Sequence, residues 1–455
     1  MAVAPSVSAH AFITTYDPLG GRGGSIDPLG ALRTYGELAE LLLPGLTTIT
    51  TRSRYLSMLC AALRNGERHR RFAVGPAGVA ERRRAAEPFE RLWALACVAA
   101  RERGRPLAAA GLRGVTYAEK ALREFQERQG PATPEFRLLK SQARTGGVPT
   151  YWTILRSGGL VNEDGSLTTE GKALAEQFPE PPGVDLARLA DPTAARRATA
   201  ALEDIDHWGV RCHLAAADAR EKSLLIDALQ SAERRDRVAR ALDRYLAREP
   251  MPDAWQISHL WRLRDQLARD EGGGKPALST VVEVVIVVEQ FHEAALRAFE
   301  ILLWWGTRAE EQPVSQLVGD QGFRETVDQA HRRAEALVRL TSGSDDPELR
   351  RILEDFASLA REVMTLEPRA FLEAIVRRHQ RVQAGKVDGG VPKKEWVVVS
   401  ASGVRTLPRY QRTERPSVPR GRYLTHPYRL EQFVGMLREN GGLSSTIAGS
   451  SGPRG

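Results

Sequence analysis

The chain has few cysteines, and none of them is paired in the sequence. Its 455 residues include only Cys60, Cys97 and Cys212, and the first two lie in apolar helical patterns where small core residues are expected. Disulfide frameworks and zinc sites need cysteines at short, recurring spacings. The spacing argues against both and favours a reducing compartment, so we expect a cytoplasmic protein.

No stretch is typical of a secretion signal or a membrane span. Residues 1–20 lack a basic segment followed by an apolar core. The most apolar run, residues 281–305, carries Glu283, Glu289 and Arg297 among other charges. Ionised groups at that frequency are too costly in lipid. We expect this run to be a buried helix of a bundle, and we expect no membrane contact.

Motifs of catalysis are also missing. The glycine clusters at 20–24 and 272–274 lack the lysine and helix that follow in a phosphate-binding Walker loop, and no G-x-S-x-G element occurs. Strands are scarce, and no nuclease-like group of Asp, Glu and Lys is visible between them. The sequence therefore predicts no catalytic residues and no cofactor.

Three acid–histidine pairs have the one-turn spacing that di-iron bundles use. They are Glu289 with His292, Asp204 with His207, and Asp328 with His331. Partner carboxylates on other helices are not identifiable, and two pairs use aspartate. We predict no metal site, and a metal-dependent enzyme is the third of three functional alternatives.

The bulk properties describe an ordinary globular chain of two to four domains. Lys and Arg total 65 against 57 acidic residues, which gives a net charge of +8. We predict a mainly α protein: multi-helix domains with an embedded winged helix-turn-helix and a small C-terminal β-hairpin with a basic arm. The predicted divisions are a helical region (1–115), the winged helix (116–180), a helical bundle (185–385), the hairpin, arm and final helix (386–440), and a disordered tail (441–455).

The winged helix is predicted from residues 148–178. An apolar helix stops at Gly158-Gly159, a tight hairpin turns at residues 162–165, and Thr168 or Thr169 caps a new helix. In such modules the helix before the hairpin enters the major groove of DNA. The residues expected to be exposed and to contact DNA are Lys140, Arg144, Thr150, Tyr151, Thr153 and Arg156. Glu163 and Asp164 in the turn would repel phosphate, so a protein-docking role stays open.

The strongest cationic segment is residues 405–429. Seven arginines stand there against one glutamate, with Tyr410, Tyr423 and Tyr428 interleaved. Guanidinium groups pair with phosphate, and tyrosine rings can stack on unpaired bases. The predicted DNA contacts of this arm are Arg405, Arg409, Arg412, Arg415, Arg420, Arg422 and Arg429. The alternative is an arm that packs on acidic surface of its own domain or of a partner.

A further anion site is predicted near residues 47–54. Threonines and arginines gather at the start of a helix, where free amides and the helix dipole favour an anion. The candidates are Thr48, Thr50, Arg52 and Arg54. In the alternative, the threonines are ordinary caps and Arg54 pairs with Glu37 or Glu40.

The stretch from Pro44 to Tyr55 resembles the N-terminal signature of a family of bacterial proteins encoded in antiphage-defence islands. That signature is P-G-x-[ST]-T-x-[QT]-x-R-x-R-Y, and an L-T-x-x-G-x-x-L-A element and a closing H-P-Y-R-L are compatible with the same family. The matching residues are Pro44, Gly45, Thr47, Thr48, Thr50, Arg52, Arg54, Tyr55, Leu167, Thr168, Gly171, Leu174, Ala175, His426, Pro427, Tyr428, Arg429 and Leu430. The resemblance implies a non-catalytic subunit of a defence system, encoded beside helicases, nucleases and methyltransferases.

Together these patterns predict a non-catalytic subunit that binds duplex or single-stranded DNA and presents it to a helicase or nuclease. The main alternative is an assembly subunit that docks on such a motor and touches DNA only incidentally. Salt separates the two, because phosphate contacts weaken steeply as salt rises whereas an apolar docking surface hardly responds.

Overall fold

The computed structural model describes most of the chain between residues 27 and 443. Residues 1–26 and 444–455 lie outside the described residues. The second range contains most of the predicted tail, residues 441–455. The described ranges are 27–140, 142, 146–249, 252, 254–269, 276–308, 312–388, 391–400, 403–418, 421–422, 424–426 and 428–443.

The fold is mainly α with a C-terminal β-hairpin, which confirms the predicted fold class. Over the described residues the helices are α1 (Leu32–Leu42), α2 (Arg54–His69), α3 (Pro76–Glu102), α4 (Val115–Glu127), α5 (Gly147–Ser157), α6 (Thr169–Gln177), α7 (Leu186–Leu189), α8 (Leu202–Cys212), α9 (Ala219–Gln230), α10 (Glu233–Leu246), α11 (Ile257–Ala268), α12 (Leu278–Trp305), α13 (Val314–Gly319), α14 (Gln321–Ser342), α15 (Pro347–Val363), α16 (Pro368–Ala384) and α17 (Leu430–Glu439).

Four short strands form two antiparallel hairpins. β1 (Val387–Asp388) pairs with β2 (Val391–Pro392), and β3 (Val397–Val399) pairs with β4 (Val404–Thr406). The second hairpin was predicted from residues 395–408, and the first was not. In the second, Val398 lies opposite Arg405, and both side chains are exposed.

The contacts of the chain separate it into two compact units. Unit 1 consists of residues 1–42 and 252–428, and unit 2 consists of residues 43–251 and 429–455. Both units are therefore discontinuous in sequence. The predicted winged-helix segment belongs to unit 2, and all but the last residue of the arginine arm belongs to unit 1.

Unit 1 is built around α12. This helix packs against α1, α11, α14, α16 and strand β4, and most of its side chains are buried, including Glu289, Glu293 and Glu300. A helix that is apolar on all sides belongs in a protein core or a membrane. Helix α12 is packed among other helices of unit 1 and carries buried charges, so the prediction of a buried bundle helix is confirmed. Among the described helices, none combines the length and apolarity needed to cross a membrane.

Unit 2 is built around α3, which packs on α2, α4 and α8. Its core holds a cluster of rings in which Phe89 and Trp208 lie 5.6 Å apart and Trp93 and Phe178 lie 6.4 Å apart. Edge-on aromatic pairs add to the free energy gained by burying their area. Pro88 lies inside α3 and cannot donate an N–H to the preceding turn.

The last helix, α17, completes unit 2. Asn440, directly after it, donates from its amide to the hydroxyl of Ser53 at 2.8 Å. Glu439 at its end accepts from the Ser53 N–H at 3.4 Å. Residues near 440 are thereby fixed to the start of α2.

Some predicted elements differ from those observed. Within the predicted helical bundle, the helical pattern of residues 219–247 is divided, because α9 and α10 are separated at Ser231. The Ser231 hydroxyl donates to the carbonyl of Ala228 at 3.0 Å, and such local bonds compete with helix continuation. Residues 134–140, predicted to open a short helix, form bends and turns instead.

Candidate nucleic-acid interface

Helix α5, the predicted recognition helix, is held at its N-terminus by a buried carboxylate. Glu90 on α3 is fully buried and accepts from the Gly147 N–H at 2.6 Å and from the Gln142 amide at 2.9 Å. Burial raises the pKa of Glu90 to about 7, and the hydrogen bonds from Gly147 and Val148 oppose the rise. Glu90 therefore satisfies amides that the helix itself leaves unpaired.

The C-terminus of α5 is held by a buried arginine. Arg235 on α10 donates to the carbonyl and hydroxyl oxygens of Ser157 at 2.9 and 2.7 Å, and to the carbonyls of Pro44 and Ala228 at 2.9 and 3.1 Å. A cation at a helix C-terminus is favoured by the helix dipole and bonds its free carbonyls. Both ends of α5 are thus fixed inside unit 2.

The prediction that Thr150 and Tyr151 face DNA is wrong. Tyr151 is completely buried and Thr150 is 5% exposed. The Tyr151 hydroxyl accepts from the backbone N–H groups of Thr51 and Arg52 at 3.1 and 3.0 Å, and its ring stacks on Tyr55 at 4.5 Å. These contacts use the side chain to join α5 to the segment before α2.

Helix α5 exposes few of the predicted DNA-contacting side chains to solvent. Thr153 and Arg156 are exposed, as predicted, and Lys140 is exposed in the turn that precedes the helix. Arg144 lies outside the described residues. A recognition helix needs a row of side chains that can reach base edges, and α5 offers only two exposed positions of the predicted set.

The hairpin after α5 consists of one bridge and a turn. Val161 pairs with Leu167, and Thr168 caps α6 by accepting from the Gly171 N–H at 3.0 Å. This confirms the predicted cap. The acidic turn packs against α3, since Arg82 donates to the Asp164 carbonyl at 3.0 Å and lies 3.6 Å from its carboxylate.

A basic segment beside this turn was not predicted as a contact surface. Arg83 lies over the Trp152 ring at 4.9 Å, and Arg82 lies over the Phe72 ring at 4.9 Å. Arg71 is exposed and forms no ion pair with any described residue. The runs R-H-R-R and E-R-R-R in the sequence signalled these cations.

The predicted anion site at the start of α2 is filled by the protein's own groups. Thr50 is fully buried, and its hydroxyl donates to the Thr47 carbonyl at 2.7 Å. Thr48 is half-buried, and Ser53, not a threonine, precedes the helix without a side-chain cap. Arg52 lies 3.6 Å from Glu439. A carboxylate therefore already occupies the position that was predicted for phosphate.

Arg54 is likewise internal. Its Nε and Nη2 atoms each lie 3.0 Å from a carboxylate oxygen of Glu221, and it also donates to the carbonyls of His213 and Arg211. Its side chain is 2% exposed. The prediction of a phosphate contact at Arg54 is wrong, and its partner is neither Glu37 nor Glu40.

The arginine arm is divided between internal and exposed side chains. Arg412 lies 3.1 Å from the buried Glu300, and Arg415 lies 2.5 Å from Asp320. Arg429, in unit 2, donates to the Leu43 carbonyl at 3.2 Å. The expectation that these three are free for phosphate is wrong, because their guanidinium groups already have partners within their own units.

Besides Arg415, which is exposed and paired with Asp320, three arginines of the arm are exposed, namely Arg405, Arg409 and Arg422. Arg420 lies outside the described residues, as does Tyr423. The backbone around Arg422 is fixed, since its carbonyl accepts from the Ile257 N–H at 3.0 Å. Further along, the Thr425 hydroxyl donates to Glu289 at 2.7 Å. The arm therefore follows the surface of unit 1 and does not extend freely.

Two tyrosines of the arm, Tyr410 and Tyr428, pack against other rings of unit 1. Tyr410 stacks on Trp396 with 4.5 Å between ring centres and 8° between planes. Tyr428 is fully buried, and its ring lies 5.6 Å from that of Tyr35. The predicted stacking on bases is wrong for these two.

Four residues of the second hairpin region form what we name the hairpin patch: Lys394, Val398, Arg405 and Arg409. All four are exposed, and the three cations form no ion pair with any described residue. The nearby Glu395 accepts from the amide of Gln380 at 3.0 Å. The patch thus has positive charge with no carboxylate paired to it.

The acid–histidine pairs are parts of the packed interior or lie apart from further ligands. His292 bonds through Nδ1 to the hydroxyl of Tyr35, and Glu289 accepts from Thr425. Burial raises the pKa of Glu289 to about 7 and lowers that of His292 to about 4. Across the described ranges, no three His, Cys, Asp or Glu side chains are grouped to hold a metal ion.

Comparison with family models, with curated proteins and with solved structures gave no match for this chain.

Proposed function

We propose that the chain is a non-catalytic DNA-binding subunit that contacts phosphates through the hairpin patch. The observation that carries the proposal is the grouping of Lys394, Arg405 and Arg409, which are exposed on one hairpin and its adjoining turns and form no ion pair with a described residue. Exposed cations without carboxylate partners release counterions when they meet a phosphate backbone. Such a group is a favourable polyanion contact.

The local structure supports this role because it holds the cations in place. Val398 pairs with Arg405 across the hairpin, and Thr406, the neighbour of Arg405, donates through its hydroxyl to the Leu303 carbonyl at 2.7 Å. The stacking of Tyr410 on Trp396 fixes the short turn that carries Arg409. Fixed cations lose less conformational entropy on binding than cations on a free arm.

Phosphate contact is favoured over base reading. The hairpin patch has short strands, and in unit 2 the predicted recognition helix exposes only Thr153 and Arg156 of the predicted contacts. Contacts to phosphates position a protein on DNA without reading sequence, whereas specificity needs side chains at base edges. We therefore propose binding to duplex or single-stranded DNA with little sequence preference.

The setting in antiphage defence, with a helicase or nuclease as partner, belongs to the same proposal. It rests on the resemblance of residues 44–55 to the defence-island signature. Arg54 and Tyr55 of that signature are buried and join elements of unit 2, so these positions serve to hold the unit together. No catalytic role is proposed for any of them.

The test compares charge reversal in the patch with the same reversal elsewhere in unit 1. The patch variant is Arg405→Glu with Arg409→Glu, and the control is Arg332→Glu with Arg350→Glu, two exposed arginines on α14 and α15. Binding to a labelled duplex and to a labelled single strand is measured by fluorescence anisotropy at low and moderate salt.

The wild type is expected to bind at low salt and to lose affinity steeply as salt rises. The patch variant should bind at least about tenfold more weakly, as expected when several phosphate contacts are lost, while the control stays near the wild type. No complex in dilute buffer, or equal losses in both variants, would overturn the proposal and favour the assembly alternative.

A further inference from the structure

Unit 2 contains a cleft that the proposed DNA contacts do not use. Its volume is about 450 Å³, and it lies between α3, residues 134–135 and residues 192–196. This volume is within the range typical of small-molecule sites. The cleft is large enough for a ligand of mononucleotide size.

The lining of the cleft carries more positive than negative charge. Arg84, Arg91 and Arg196 line it together with Glu87 and Glu135. Arg84 and Arg196 are exposed and form no ion pair with any described residue. Two guanidinium groups are therefore free to pair with an anion at this cleft, and guanidinium matches phosphate oxygens in two-point geometry.

Arg91 adds an unused donor. Its Nη2 atom lies 3.3 Å from Glu87, and its Nη1 atom donates to the Pro134 carbonyl at 3.4 Å. Its Nε atom is buried and has no hydrogen-bond partner. A buried donor without a partner is costly, and a ligand oxygen that reached this atom would remove the cost.

Glu87 shows that these charges act on one another. Burial raises the pKa of Glu87, and Arg91 and Arg84 oppose the rise. The field of both arginines thus reaches the same carboxylate in the cleft lining. Because Glu87 is already paired with Arg91, Arg84 and Arg196 stand against Glu135 alone, and the lining keeps a positive excess.

The apolar part of the lining suits a flat ring. Pro88, Pro134 and Pro192 contribute rigid pyrrolidine surfaces. Pro88 also leaves the Arg84 carbonyl without its helical donor, because proline has no N–H. The carboxylates of Glu87 and Glu135 in the lining are acceptors for an amino group on such a ring.

We propose that this cleft binds a nucleoside monophosphate, with its phosphate on Arg84 and Arg196 and its base against the prolines. The same chemistry is found in a free mononucleotide and in the 5′-phosphorylated end of a DNA strand. The inference is independent of the proposed DNA contacts, since the hairpin patch lies in unit 1 and the cleft lies in unit 2.

The test is isothermal titration calorimetry of the full chain with defined probes. These are adenosine 5′-monophosphate, adenosine, inorganic phosphate, and a trinucleotide with and without a 5′-phosphate. The cleft variant is Arg84→Ala with Arg196→Ala. The matched control is Arg128→Ala with Arg220→Ala, two exposed arginines of the same unit outside the cleft lining.

The monophosphate is expected to bind more tightly than adenosine or inorganic phosphate. The cleft variant should lose roughly 10- to 100-fold in affinity, as expected when charge-assisted hydrogen bonds are removed, and the control should lose little. The variant Arg84→Lys with Arg196→Lys should keep part of the affinity that the alanine variant loses, because lysine retains the charge. Tighter binding of the phosphorylated trinucleotide would identify a strand end as the source, and weaker binding would identify a free nucleotide.

Two results would overturn the inference. The first is the absence of binding heat for every probe at millimolar concentration, with the wild type shown to be folded by circular dichroism. The second is an equal loss in the cleft variant and in the control. Failure of the hairpin-patch experiment leaves this inference standing, because the two experiments change residues in different units.

Discussion

Arg54 and Glu221 form a two-point ion pair in the interior of unit 2. Both donor–acceptor distances are 3.0 Å, and the side chains are 2% and 1% exposed. A charged side chain in the interior destabilises the folded state strongly when its oppositely charged partner is missing. The pair joins α2 to α9, and its two residues are 167 positions apart in the sequence.

Removing one member of this pair should destabilise unit 2 strongly. We expect Arg54→Met to lower the free energy of unfolding by roughly 3–5 kcal/mol, because Glu221 would remain buried without its partner. Urea denaturation followed by circular dichroism measures this change. The control is Arg188→Ala, which removes the exposed pair with Asp185 and should cost at most about 1 kcal/mol. Equal effects of the two variants would contradict the prediction.

Glu90 should make stability depend on pH. Its folded-state pKa is raised to about 7, so between its unfolded value and about 7 the folded protein holds a proton that the unfolded chain has released. Stability therefore falls as pH rises through this window, by up to roughly 3 kcal/mol from this group. The Glu90→Gln variant should show a flatter profile in urea denaturation at pH 5, 6, 7 and 8.

A matched variant tests whether Glu90 itself causes the slope. Glu163→Gln removes an exposed carboxylate from the hairpin turn and should leave the profile unchanged. Glu289 contributes in the same direction, because burial also raises its pKa to about 7. If the free energy of unfolding changed with pH equally in Glu90→Gln and in the wild type, the prediction of a raised pKa for Glu90 would be wrong.

Gly147 is required where α5 begins. A Cβ atom there would lie 2.6 Å from the Glu90 carboxylate and 2.6 Å from the Tyr55 ring. We expect Gly147→Ala to destabilise by about 1–3 kcal/mol, the usual cost of overpacking. Gly36→Ala is the control, because no atom lies within 4 Å of its Cβ position on α1 and alanine favours a helix. Thermal melting should move in opposite directions for the two variants.

Substitution of Arg405 should affect DNA binding, whereas substitution of Arg412 should affect the stability of the fold. Arg405 is exposed, whereas Arg412 pairs with the buried Glu300. Arg405→Ala should weaken DNA binding and change stability by less than about 0.5 kcal/mol. Arg412→Ala should lower stability by about 1.5–3 kcal/mol and change affinity little. Anisotropy and urea denaturation on both variants test this, and loss of DNA affinity in Arg412→Ala alone would contradict it.

The local pattern was sufficient to predict the longer helices of unit 1. The apolar run 281–305 was predicted to be a buried bundle helix and lies within the observed Leu278–Trp305, and a proline stands at the start of both α15 and α16. Proline at the first helical position and acidic caps are local signals. The predicted hairpin near residue 400 likewise depended on strand pattern and a glycine turn.

The candidate interface could not be predicted to the same extent. The burial and pairing of its side chains depend on residues that are distant in the sequence. Tyr151 was predicted to be exposed, although it is followed by the apolar Trp152, Ile154 and Leu155, and all four side chains are buried. The sequence did not show that Glu90 and Arg235, 57 and 78 residues away from the groups they bind, hold the helix ends. Counting charges identified the arginines of the arm. It did not identify Glu300 and Asp320 as the carboxylates that pair with two of them.

The fixed position of α17 bears on how the chain folds during synthesis. Glu439 and Asn440 contact the start of α2, yet nearly four hundred residues of chain separate them from Ser53. While the ribosome is still translating, the amides at the beginning of α2 face water, and unit 2 lacks one of its helices. Chaperone binding to nascent chains of different lengths should therefore persist until the codons for this last helix have been read and its residues have left the exit tunnel.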